Sequence, residues 1–384
     1  MRLGPGVGFL DGVRVVDTTR LLPGAFCTML LSDMGAEVIK VEQPGLGDYM
    51  RAAPPTKRGR SPSHASVNRN KRSIGIDLKS DEGKDVLRKL IKRSHVFVEG
   101  FRPGAMHRLG FSFEEVKRIN KRIVYCSVSG FGQGTSLSSM PGHDINFQAM
   151  AGILGYSSRP EPPLIQLSDI ASGMYAALGI LGAIAKRGGA AYVDVPMVAS
   201  LMSWMVVPAA EYLATGSPPA PGSSLVFGST PYYRLYRTAD GGYMAVAAIE
   251  ERFWTNLLRL LGLEEFAPKR FGSIRDKEDT TNALERTFSA NTREHWTELL
   301  SDKETCVTPV LEPGEAFRDK RVAASLFVRA GSDLVLSSPL RTKPPQRRKF
   351  SPAPELGADT PAIMRSLGYS NSVVARFRKM GFIQ

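Results

Sequence analysis

A chain of 384 residues with 42% hydrophobic and 23% charged side chains has ordinary globular composition, sufficient for a large core and two domains, and excludes a disordered or fibrous protein. Lysine and arginine outnumber aspartate and glutamate by 50 to 37, so the net charge is +13 and anionic partners are favoured. Three dispersed cysteines, Cys27, Cys126 and Cys306, argue against a disulfide framework and against metal-ligand spacing, so no metal is expected and a reducing, cytoplasmic compartment is.

The basic residues form no dense stripe, and the richest run, Lys343 to Lys349, is interrupted by proline and lacks aromatics. No nucleic-acid partner is expected from it. A small substrate carrying several phosphates and a solvated basic surface both stay open. Residues 1–12 lack the apolar core of a signal peptide, and the run 174–185 is about half of what a membrane span needs, so no membrane partner is expected either.

Residues 13–17 read as a strand and 23–34 as a helix with proline in its first turn. Further strands are predicted over 37–41, 73–77, 95–99 and 123–128. Between them, 81–93 is an amphipathic helix, acidic at its start and basic at its end, as the helix dipole prefers. This alternation predicts an α/β fold with a parallel sheet covered on both faces. The Pro-, Gly- and Arg-rich stretch 43–70 is too long for a simple connection and reads as a lid or a binding wall. Largely buried helices are predicted over 147–154, 173–186 and 198–213. A boundary is expected in the Gly- and Pro-rich segment 214–228. A smaller α+β unit follows, with two strands over 232–249 around Asp240-Gly241-Gly242 and helices over 252–261, 276–290 and 292–300. Residues 343–355 read as extended, and 360–368 and 371–380 as short terminal helices.

The chemistry concentrates in a few places. In Gly142-His143-Asp144-Ile145-Asn146-Phe147 a glycine precedes one of only five histidines. Twenty-six residues after His143, Asp169 opens a long apolar run. A histidine and an aspartate, each at the start of a helix, would make an acid/base pair. Alone, His143 also fits a structural role, Asp144 an orienting or capping role, and Asp169 an N-cap. The loop Glu99-Gly100-Phe101-Arg102-Pro103-Gly104, with Arg108 behind it, leaves the carboxyl end of a strand, where open α/β sheets bind ligands. Its arginines suit phosphate, although a tight turn with solvated arginines fits equally. Glu250, after an apolar strand, reads as a dipole partner for the next helix.

Taken together, several segments resemble the family III CoA-transferases of the CaiB/BaiF type, whose relatives include the α-methylacyl-CoA racemases. They are Leu10-Asp11-Gly12-Val13-Arg14-Val15-Val16-Asp17, the stretch from Leu31 to Glu42, Asn70-Lys71-Arg72-Ser73-Ile74, Glu99 to Gly104, Ser129-Gly130-Phe131-Gly132, Asp169 with Gly173-Met174, and Thr238 to Tyr243. The resemblance implies a Rossmann-like large domain over 1–215 and 310–384, a small α+β domain over 225–305, linkers at 216–224 and 306–309, and an interlocked homodimer. It implies an acyl-CoA substrate, with coenzyme A part of the substrate and no separate cofactor. By similarity, CoA should touch Ile76, Asp77, Leu78, Lys79, Gly100, Phe101, Arg102 and Arg108, together with Gly142, Asp144, Ile145, Asn146 and Phe147.

Within the family, the Gly-His-Asp-Ile-Asn motif resembles the racemases. For a racemase, His143 and Asp169 would flank the α-carbon as base and acid, Glu250 would hold His143, and backbone N–H groups at the helix around Asp169 would stabilise the enolate. For a transferase, Asp169 would instead attack the donor thioester and pass CoA to a second acid through an aspartyl thioester. A third possibility is a non-catalytic CoA-ester or nucleic-acid binder that keeps only the arginine cluster.

Overall fold

The computed structural model describes residues 8–57, 59–156, 160–186, 188–218, 228, 230–301, 303–323, 326–340 and 350–384. The chain divides into two compact units: Met1–Leu154 with Glu161–Trp204 and Ser325–Gln384, and Gly155–Pro160 with Met205–Ala324.

The larger unit is built on six parallel strands: β1 (Arg14–Asp17), β2 (Glu37–Glu42), β3 (Arg72–Gly75), β4 (Val96–Glu99), β5 (Val124–Ser129) and β6 (Ala191–Pro196). Their order is 3-2-1-4-5-6. The connections run outward from β1 to β3, then jump back to β4 and run the other way. The reversal between β1 and β4 leaves a crevice at the carboxyl ends of the strands, the usual ligand position in such sheets.

The strand residues alternate between two cores, as a period of two requires. Val16, Ile39, Ile74, Phe97 and Tyr125 face one core with residues of α3 (Asp81–Lys92), α5 (Phe113–Ile119) and the C-terminal helices Thr360–Ser366 and Asn371–Lys379. Val15, Val38, Val96, Val98 and Cys126 face the other, with α1 (Leu22–Asp33) and α7 (Leu167–Ala185). Helix α3 starts where Ser80 accepts from the Gly83 N–H at 3.0 Å, with Asp81 and Glu82 in the first turn and Lys89 and Lys92 in the last. Three more helices complete the numbering used here: α2 (Pro62–Asn68), α4 (Ala105–Leu109) and α6 (Asp144–Met150). The chain ends against β3, where the Gln384 N–H donates to the Gly75 carbonyl at 3.2 Å.

By length and apolarity alone α7 and the stretch Met197–Thr215 could each cross a membrane. Helix α7 has 19 residues, longer than the apolar run predicted, and it buries Ala171, Ala176, Ala177 and Ile180 in the protein. Gly173 allows the close approach to α1, because a Cβ there would lie 2.7 Å from the Pro23 carbonyl oxygen.

The stretch 198–213, expected as one buried helix, is instead interrupted by a 3-10 turn at Ser203–Met205. The helix after the turn, Val206–Thr215, has no buried residue and belongs to the second unit. The division at 204 thus precedes the expected boundary segment, most of which (219–227) lies outside the described residues. The predicted extended segment 343–355 is likewise outside them up to residue 349.

The smaller unit carries the antiparallel sheet β7 (Tyr233–Arg237), β8 (Tyr243–Ala247), β9 (Val307–Pro309), with helices Glu251–Leu261, Ile274–Ser289 and Arg293–Leu300. Trp254, Leu257, Leu284, Phe288 and Trp296 fill its core.

Candidate functional site

His143 immediately precedes α6, and its N–H donates to Asn146 Oδ1 at 3.0 Å. Its side chain is exposed. Asp169 is the third residue of α7, so it is not an N-cap. The N-capping function is performed from a distance by Asp144. Asp144 Oδ1 accepts the N–H of Ser168 at 2.8 Å and of Asp169 at 3.2 Å, and also the Ser168 hydroxyl. Asp144 Oδ2 accepts from the buried Gln148 amide. One carboxylate, on the residue after His143, therefore ties the start of α6 to the start of α7 and brings the two candidate residues to adjoining helix ends.

Two groups expected at the substrate have partners within the protein. The side chain of Asp144, expected at CoA, is turned into the N-terminus of α7. The helix amides expected to face an enolate are already donating: Ser168 and Asp169 to Asp144, and Ile170 to the Gln166 carbonyl at 3.1 Å. Burial, and then the Asp144 charge, push the Asp169 carboxyl up to about 7. Such a group exchanges a proton readily at neutral pH.

The rest of the motif has a packing role. Phe147, also expected at CoA, is 3% exposed and sets its ring edge-on against Phe131 at 5.3 Å. Gly142 is where it is because a Cβ would lie 2.7 Å from that ring. Ile145 and Asn146 are exposed. Glu250 is exposed at the N-cap position of the helix Glu251–Leu261, in the smaller unit.

A second feature lies at the strand reversal. A cleft is lined by Thr18, Thr19 and Arg20 after β1, Val41 and Glu42 at the end of β2 with Gln43 and Asp48 after it, Ile76 to Lys79 after β3, and Phe101 and Leu109 after β4. It includes Ile76, Asp77, Leu78, Lys79 and Phe101, all expected from the sequence. Gly100 is exposed beside it and Arg102 points to solvent. Arg108 is exposed on α4, its guanidinium 3.3 Å from where a Cβ of Gly104 would stand. Thr18, Thr19 and Arg20 were not foreseen, their signal being position alone at the end of β1, whereas Gln43 and Asp48 fall within the stretch 43–70 expected as a lid or a binding wall. The Arg20 guanidinium sits 5.2 Å from the Tyr49 ring centroid and 5.5 Å from that of Phe101. Cation and aromatic faces of this kind suit a nucleobase.

Of the stretch 43–70, Gln43, Gly47 and Asp48 line the cleft. Lys40 and Asp48, both fully buried, pair at 2.9 Å, and Lys71 meets Asp17 at 3.2 Å. Arg51 clasps Glu42 at 2.7 and 2.8 Å. Burial would raise the Asp17 carboxyl, but Lys40, Lys71 and the hydroxyls of Thr19 and Thr28 outweigh it and hold the group down at about 2. Burial lowers the Lys71 ammonium to about 8 despite Asp17. Glu99, at the end of β4, is pushed up to about 7 by burial, against the hydroxyl of Ser127 and the Phe101 N–H that donates to it at 2.8 Å. Among the described residues no group of three His, Cys, Asp or Glu side chains is placed to hold a metal ion.

The family model of CoA-transferase family III matches residues 10–360. The human alpha-methylacyl-CoA racemase is 34% identical over 380 residues, 95% of each chain. The acetyl-CoA:oxalate CoA-transferase of Acetobacter aceti is 31% identical over 351 residues, 87% of this chain and 89% of its own. Among solved structures, a CaiB/BaiF family protein from Brucella suis superposes with a TM-score of 0.83 at 26% identity, covering 94% of this chain and 99% of its own. The Rv3272 protein of Mycobacterium tuberculosis superposes with a TM-score of 0.82, also at 26% identity, covering 93% of this chain and 99% of its own. With the family model matching residues 10–360 and relatives of both activities over most of its length, the chain is an enzyme of CoA-transferase family III.

Proposed function

We propose that the protein is a 2-methylacyl-CoA racemase or epimerase that moves the α-proton of a thioester from one face to the other through an enolate. The observation that carries this reading is that Asp144, the residue after His143, accepts the Asp169 N–H, so that His143 and Asp169 stand at adjoining helix ends. The α-carbon of a thioester is a weak acid, so inversion needs a base on one face and an acid on the other. An exposed imidazole and a carboxyl pushed up to about 7 are suited to exchange these roles between enantiomers. The human relative at 34% identity is a racemase by name. The CoA nucleotide would occupy the cleft, with Phe101 and Arg20 against the base and Lys79, Arg102 and Arg108 toward its phosphates. CoA is part of the substrate, and the reaction needs no further cofactor.

A second reading is a CoA-transferase in which the Asp169 carboxylate attacks the donor thioester and hands CoA to another acid. It is supported by the acetyl-CoA:oxalate relative. The exposed Met174 and Leu178 of α7, at 50% and 63%, support an interlocked homodimer, since such apolar surface favours an interface. The free cysteines fit a reducing cytoplasm.

NMR of α-proton exchange in D2O with 2-methylacyl-CoA, with and without succinate as acceptor, tests the proposal. Exchange without acceptor, lost in His143→Ala, is the expected result. CoA transfer to the added acid without exchange, dependent on Asp169, overturns it.

A further inference from the structure

Helix α7 has no N-cap side chain of its own. Its N-cap residue, Gln166, makes no capping bond, yet α7 begins at the most chemically loaded position in the chain. The capping oxygen comes from Asp144, twenty-five residues before Asp169, which receives two backbone N–H groups and a hydroxyl on one oxygen and the Gln148 amide on the other. Both oxygens are thus held by protein donors. Asp144 is an anion at a helix N-terminus, where the dipole favours it. Burial first, and then the like charge of Asp144, favour the protonated form of the Asp169 carboxyl.

We infer that Asp144 is a positioning residue of the proton-transfer site: its carboxylate, bound to the first amides of α7, locks Asp169 in register with His143 and sets a like charge beside the Asp169 carboxyl. This rests on the proton-transfer reading above, because an attacking carboxylate would gain nothing from being protonated. Of the other elements packed against α7, β6 carries Tyr192 and Asp194, and β5 carries Tyr125 and Cys126. Helix α6 carries only Asp144, with His143 before it. Helix α1 carries only Asp33, at its far end and paired with Arg69 at 2.6 Å. The helix Met197–Met202 carries none, and the segment before α7 carries Glu161.

The test uses full-length protein with 13C-labelled aspartate carboxyls, the Asp169 signal being assigned as the one missing in Asp169→Asn. Asp144→Asn keeps the acceptor oxygen and removes the charge. Its Asp169 midpoint is expected to fall by about one pH unit or more. The matching limb of the α-proton exchange profile should move with it. The kcat should drop about tenfold with KM for the thioester held within about twofold. An unchanged midpoint in Asp144→Asn overturns the proposal. If that variant does not fold, Asp144→Ser, which keeps an uncharged N-capping oxygen, decides it by the same readout. The carboxyl titration needs no turnover. An enzyme that transfers CoA and exchanges no proton therefore sinks the racemase reading, while the midpoint shift separately decides the role of Asp144.

Discussion

Gly142→Ala should separate the packing of the histidine motif from its chemistry. An alanine Cβ at this position would lie 2.7 Å from Cε1 and 3.0 Å from Cζ of Phe147. Against an ordinary carbon–carbon contact of about 3.5 Å, that is an overlap of roughly 0.8 Å. The ring has nowhere to go. It is 3% exposed, rests on Phe131, and is met by Gly130, where a Cβ would come within 2.6 Å of the same two ring atoms. Residue 142 has no left-handed backbone, so the penalty is steric and the loop itself must give. His143, the next residue, moves with it. Overpacking of this kind costs about 1–3 kcal/mol, equivalent to a Tm lower by roughly 3–10 °C in a domain of this size. A reacting group displaced by several tenths of an ångström should lower kcat for α-proton exchange about 10- to 100-fold. The KM should stay within about twofold, since the cleft is built from other loops. Calorimetry and NMR exchange measure both effects, and Phe147→Leu in the same chain should restore part of each by vacating the ring edge. A Gly142→Ala enzyme with wild-type Tm and exchange rate would refute the reasoning.

Four further outcomes are expected. Arg69 and Asp33 form a two-point pair with both side chains 1% exposed; Arg69→Met leaves a buried carboxylate and should cost about 3–5 kcal/mol in urea denaturation, much of it recovered by adding Asp33→Leu. Arg20→Ala, which removes the cation over Tyr49 and Phe101, should raise KM for the CoA ester about 3- to 10-fold and leave kcat nearly unchanged in steady-state assays. Of the three thiols, only Cys306 is exposed, while burial raises the Cys27 and Cys126 thiols, so a thiol reagent should label one cysteine in the native protein and three after denaturation. Glu99 has its carboxyl raised from 4.5 to about 7, so the native state binds the extra proton between those values and its stability falls as pH rises through them; Glu99→Gln should therefore raise Tm at pH 8 and change it little at pH 4.

The elements legible in the sequence are those whose signal is local. Five of the six parallel strands show because each is a compact β-branched run, and α3 shows because its acidic start, basic end and apolar stripe lie within twelve residues. The sixth strand, Ala191–Pro196, escaped because an aspartate interrupts it, a proline closes it and only β5 pairs with it. The start of α7 escaped for a different reason: its capping group stands on another helix, and a rule that looks a few residues ahead for a Ser, Thr or Asp at the N-cap finds Gln166. The helix Val206–Thr215 was misjudged because apolar residues mark burial only when a partner surface is present in the same chain. The candidate site follows the same division. His143 and Asp169 stand out as residue types at helix starts, but what brings their helix ends together is Asp144, whose reach across twenty-four residues to Ser168 no spacing rule contains. Thr18, Thr19 and Arg20 carry no motif, and they line the cleft only because the strand order reverses beside β1. A parallel sheet gathers the ends of strands that are far apart in sequence, so its site is a property of topology, and the residues that tune the reacting groups are found only once that topology is known.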